Sequence, residues 1–102
     1  MSDASALPLS KQSFTAATPD GSVFVRVAVV GQVLGVQLEP AAMRHRGHEL
    51  AERIMACADV AYLQGQLAVR SEWERAGMDA DAMAGMPTRD DLARADDRLR
   101  KL

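Results

Sequence analysis

The sequence predicts an α+β fold: an antiparallel three-stranded β-meander, one long α-helix and a short C-terminal helix, assembled as a dimer. Three observations carry this reading. Val23, Val25, Val27 and Val29 alternate with Phe24, Arg26 and Ala28, the period-two pattern of a half-buried strand. Residues 48–76 keep a helical pattern with no proline and a single glycine, Gly65. At ~1.5 Å per residue that helix is roughly 40 Å long, whereas strands of ~20 Å cannot cover it. A second copy of the chain is the simplest supplier of the missing cover.

The elements follow in order. Residues 1–12 are small and polar around Pro8 and are expected to form a flexible tail. The main domain is expected over 13–77. Ser13–Ala17 alternates Phe14 and Ala16 with polar or small residues and predicts a first strand. Thr18-Pro19-Asp20-Gly21 is a turn signal that joins it to the valine strand as a hairpin. Val30-Gly31-Gln32 turns the chain again. Val33–Leu38 then predicts a third strand, with Leu34, Val36 and Leu38 inward and Val33, Gly35 and Gln37 outward. The apolar face of this sheet needs a helix over it. The outer face is not fully polar, because Phe24, Ala28 and Val33 are placed there.

Glu39-Pro40 ends the sheet, and Pro40–Met43 predicts one helical turn with proline at its first position. Arg44-His45-Arg46-Gly47-His48 is the connecting loop. In the long helix, Leu50, Ile54, Cys57, Ala61 and Ala68 mark one stripe, widened by Met55, Val60, Leu63, Leu67 and Val69. Gly77 is placed to stop it. Residues 78–87 are read as a linker. Pro87-Thr88 opens a last helix over 88–102, where Thr88 and Asp91 have capping-box spacing. Asp90–Arg94, Asp96–Arg100 and Asp97–Lys101 are acid-before-base pairs at i,i+4. Leu92, Ala95, Leu99 and Leu102 form its docking stripe.

At 102 residues and a net charge of −2, the chain is one small domain with no global positive field to attract nucleic acid or anionic lipid. Its one cysteine, Cys57, lies in the helical apolar pattern and is expected to be a buried, inert thiol. No run approaches the ~18 apolar residues of a membrane span, and residues 1–12 lack the layout of a signal peptide. The expected location is cytoplasmic.

No catalytic set is visible: there is no Gly-x-Ser-x-Gly elbow, no Gly-rich phosphate loop and no cysteine with an activating base. Glu49 with Glu52, and Asp90 with Asp91, are explained by solvated helix faces. His45 and His48 lack a third metal ligand, so neither a metal nor a cofactor is expected. The basic loop is the most site-like cluster. Arg44, His45, Arg46 and Arg53 are candidate phosphate contacts near a helix start, against the plainer reading of a solvated loop. Leu63, Leu67 and Trp73 on the overhanging helix are candidate dimer or partner contacts, joined by Phe24, Leu92 and Leu99.

Pro19-Asp20-Gly21, the alternating valines, Val36-Gln37-Leu38-Glu39-Pro40 and Leu50 with Ile54 resemble the YbaB/EbfC family of small bacterial nucleoid-associated proteins. Residues 14–23, Leu50–Ile54 with Ala58–Ala61, and Pro87–Leu92 are more similar to a mycobacterial branch of that fold linked to type VII (ESX) secretion, which includes EspH. The resemblance implies an α+β homodimer. It points to a non-enzymatic cytosolic accessory or chaperone-like factor whose partner is a type VII secretion component or substrate. The alternative it implies is a DNA-binding, nucleoid-associated protein. Two departures matter. The family's long N-terminal helix has no room in residues 1–12. Tyr62 is followed four residues later by Gln66 rather than by the acidic residue of the usual export signal, and Trp73 is not in a Trp-x-Gly turn.

Overall fold

The structure is a computed structural model that describes residues 7–102. The part of the expected tail over 1–6 lies outside the described residues, and Leu9–Lys11 forms a short 3-10 turn. Strands β1 (Ser13–Ala17), β2 (Val23–Ala28) and β3 (Val33–Leu38) make one antiparallel sheet in the order β1-β2-β3. Helix α1 (Gly47–Arg75) follows a 3-10 turn at Pro40–Arg44, and helix α2 (Arg89–Arg100) closes the chain. The predicted α+β architecture is the observed one.

The hairpin between β1 and β2 is held by Asp20. One of its carboxylate oxygens accepts from Thr18 Oγ1 at 2.8 Å, the Ser22 N–H at 3.0 Å and Ser22 Oγ at 2.8 Å. These donors favour the charged form and lower the Asp20 pKa to about 2, the Ser22 N–H contributing most. The register places Val23, Val25 and Val27 on the face covered by α1, at 0–1% exposure. Cys57, Val60 and Ala61 meet them from α1, and Ala42, Ala95 and Leu99 belong to the same core cluster.

Helix α1 begins with half a capping box: the Arg46 N–H donates to the Glu49 carboxylate at 2.8 Å, while the Arg46 side chain has no acceptor to return. It ends as Gly77 predicts. Gly77 adopts φ +80°, its N–H donates to the Glu74 carbonyl, and the Met78 N–H reaches back to Trp73 at 3.0 Å. This is a Schellman closure, which needs a left-handed residue at that place.

The linker expected over 78–87 contains a 3-10 turn at Ala80–Met83, and Met83 is buried. Arg70 Nη1 donates to the Met83 carbonyl at 3.3 Å and ties the segment to α1. Helix α2 starts with the Thr88–Asp91 box: Thr88 N–H to Asp91 at 2.8 Å, and Asp91 N–H to Thr88 Oγ1 at 3.3 Å. Asp96–Arg100 and Asp97–Lys101 pair as predicted, whereas Arg94 pairs with Asp91 instead of Asp90. The capping geometry has already turned the Asp91 carboxylate toward that face.

Two expectations need correction. Helix α1 packs on β1, β2 and α2 but scarcely reaches β3. Val36 and Leu38 pair with Val25 and Val23, so they share the inner face, yet they remain 43% and 39% exposed. A register shift between Arg26 and Val27 leaves Leu34 unpaired and sets Val33 opposite Val27. Such a bulge changes the parity of the strand, so Val33 is not an outer-face residue, and Leu34 is 44% exposed instead of buried.

Candidate interaction surfaces

The expected helix interface is largely occupied by the chain itself. Helix α2 runs back along α1: Arg98 and Lys101 lie beside Ala51 and Met55, and Arg89 and Leu92 beside Leu67. Ala95 and Leu99 are buried there, and Leu63 and Leu92 pack partly buried against the same cluster. Leu99, at 4% exposure, has no surface left to offer another chain, which corrects its assignment as a partner contact. The cause is that α2 supplies, in the same chain, cover for the overhang that was assigned to a second copy. Trp73 remains 38% exposed near the end of α1, and Phe24 37% exposed on the outer sheet face.

The uncovered apolar surface lies elsewhere. Val33, Leu34, Val36 and Leu38 are all exposed along β3, the edge strand beyond the reach of α1. This was missed because strand alternation reports which face a residue takes and not whether anything lies over that face. A second surface, a groove of about 630 Å³, opens between the first half of α1 and the end of α2. It is lined by Ala51, Met55 and Ala56 together with Glu52 and Asp59 of α1 and Arg98 of α2. Met55 is 66% exposed there, although the sequence places it in the broad apolar stripe.

The basic loop is less positive than its residues suggest. Arg44, Arg46 and His48 are exposed, and His45 is half-buried. Glu49 sits among them and its pKa is lowered, first by the Arg46 N–H and then by the charges of His48, His45 and Arg53. The charge of His45 also acts on Asp20. Arg53 Nη1 donates to the Glu49 carbonyl at 3.1 Å and is partly engaged with its own helix. Carboxylates from the turn and the helix therefore offset the cluster. Among the described residues no three His, Cys, Asp or Glu side chains stand together as a metal site. No helix among them is long and apolar enough to cross a membrane.

Cys57 is fully buried, and burial pushes its thiol up to about 11. Its Sγ lies 3.9 Å from the Val23 carbonyl oxygen. The thiol is buried, as expected.

The family model described as "Protein of unknown function (DUF2694)" matches residues 8–102. No curated protein and no solved structure matches the chain.

Proposed function

The chain belongs to the DUF2694 family of proteins of unknown function, and we propose that it works as a non-enzymatic, self-associating interaction protein. The observation that carries this reading is the half-covered sheet: α1 spans β1 and β2 and leaves the apolar residues of β3 open. A small domain gains stability by covering such a surface. The resemblance of residues 14–23, 50–54 with 58–61, and 87–92 to the type VII secretion-associated branch supports a cytosolic accessory or chaperone-like role, with a secretion component or substrate as partner.

A second reading is DNA binding. It is favoured by the exposure of Arg44, Arg46 and His48 at the start of α1, a cluster that a dimer would double. The neighbouring Asp20 and Glu49 carboxylates and the net charge of −2 weigh against it.

Light scattering across micromolar concentrations, with and without a short DNA duplex at low salt, tests both. Twice the chain mass with no shift on DNA supports the interaction protein. A shift onto DNA that weakens steeply with salt supports the second reading. A folded monomer at every concentration refutes self-association.

A further inference from the structure

We propose that two copies of the chain join along the free edge of β3, as an antiparallel β3–β3 ladder with its twofold axis at Gln37. This rests on the self-association reading above and names its surface. The first support is the direction of the backbone groups. The Thr18 N–H donates to the Val23 carbonyl at 3.0 Å, and the Glu39 N–H donates to the Ser22 carbonyl at 2.8 Å. In an antiparallel ladder the bonded pairs alternate. Phe24 and Arg26 therefore bond to Gln37 and Gly35, and the N–H and C=O groups of Val36 and Leu38 point out of the sheet edge.

The second support is charge. Residues 27–38 form the longest stretch of the chain without Asp, Glu, Lys or Arg. Sheet edges that stay unpaired are usually blunted by charge or proline, and β3 carries neither. The bulge at Leu34 bends the start of the strand away and leaves Gly35–Leu38 as the pairing segment. The opposite edge differs. The apolar residues of β1, Phe14 and Ala16, are already half-buried against the core, so pairing there would cover mainly Ser13, Thr15 and Ala17.

The third support selects a second copy over a foreign strand. A twofold axis at Gln37 sets Val36 opposite Leu38 of the second copy, twice, on the inner face. Each such pair exchanges both backbone hydrogen bonds. Gln37 then faces its own counterpart on the outer face, and an amide both donates and accepts, so it is compatible with itself. Glu39 comes opposite Gly35, which has no side chain to obstruct it. A charged residue at 36, 37 or 38 would meet apolar surface or its own like charge.

The test uses the full chain. Gln37 falls at a non-hydrogen-bonded pair, where facing α-carbons approach within disulfide range. Gln37→Cys should therefore form a covalent dimer under mild oxidation, and Thr15→Cys on the opposite edge should not. Cys57 is buried and does not contribute. Val36→Lys changes an exposed residue; it should keep the native circular dichroism and raise the dimer dissociation constant more than about tenfold. A wild-type dimer that survives Val36→Lys, with Gln37→Cys linking no better than Thr15→Cys, overturns the β3 ladder and leaves self-association standing. A wild-type chain that is monomeric at every concentration overturns both.

Discussion

The Phe14 ring lies directly over Gly65: a β-carbon on Gly65 would sit 3.1 Å from Phe14 Cδ2, 3.3 Å from Cε2 and 3.5 Å from the Val29 α-carbon. At Gly65, α1 comes close to Phe14 of β1 and to Val29 just after β2. A glycine inside a helix costs about 1 kcal/mol relative to alanine, and here the close approach of the two layers offsets it.

Gly65→Leu is expected to push α1 away from β1 and destabilise the fold by about 2 kcal/mol or more. Gly65→Ala should change stability by less than about 1 kcal/mol, because the gain in helix propensity opposes a small shift of the Phe14 ring. Urea unfolding of the two variants checks this. Equal losses for both would contradict it.

The Asp20 turn should give the fold an acid limit. The folded pKa, about 2, lies below the ordinary aspartate value of 3.8. Its contribution is therefore present above pH 4 and lost as pH falls from about 4 toward 2. Asp20→Asn should flatten that segment of the thermal midpoint against pH and leave the neutral region parallel to wild type. An unchanged acid slope would show that other carboxylates set it.

Thr88→Ala should cost about 1 kcal/mol, since Thr88 accepts from the Asp91 N–H and holds the Asp91 carboxylate against its own N–H. Hydrogen exchange should rise first at the start of α2 and leave the centre of α1 protected. Uniform loss of protection would mean that the two helices unfold as one unit.

Met83→Ala should cost about 2 kcal/mol by leaving a cavity under the 3-10 turn at Ala80–Met83. Limited proteolysis should then cut within 78–87 before it cuts either helix. Resistance equal to wild type would show that the Arg70 bond to the Met83 carbonyl is enough to hold the segment.

Cys57 should resist alkylation in the native state and react fully in urea, because its thiol is buried and raised to about 11. Labelling at a free-thiol rate in buffer would contradict the packing of α1 on β2.

Much of the fold was legible because its signals are local. The valine alternation of β2, the Thr18–Gly21 turn, the stop at Gly77 and the Thr88 cap each depend on residues close in sequence, and each has the predicted form. The surfaces were less legible. Leu99 has the spacing of a docking residue whether its helix docks on its own chain or on another, and only the path of 76–88 decides between them. Val36 and Leu38 have the parity of core residues, but the crossing of α1 over β1 and β2 leaves them open. The charges of Arg46 and Arg53 suggested an anion site until Glu49 was found among them.

By itself, then, the sequence determined the element order, the faces of β2 and the helix ends, because periodicity, turn chemistry and capping act over a few residues. The tertiary structure decided what covers each apolar face, since cover depends on where a helix lies across a sheet, and no local pattern encodes that placement.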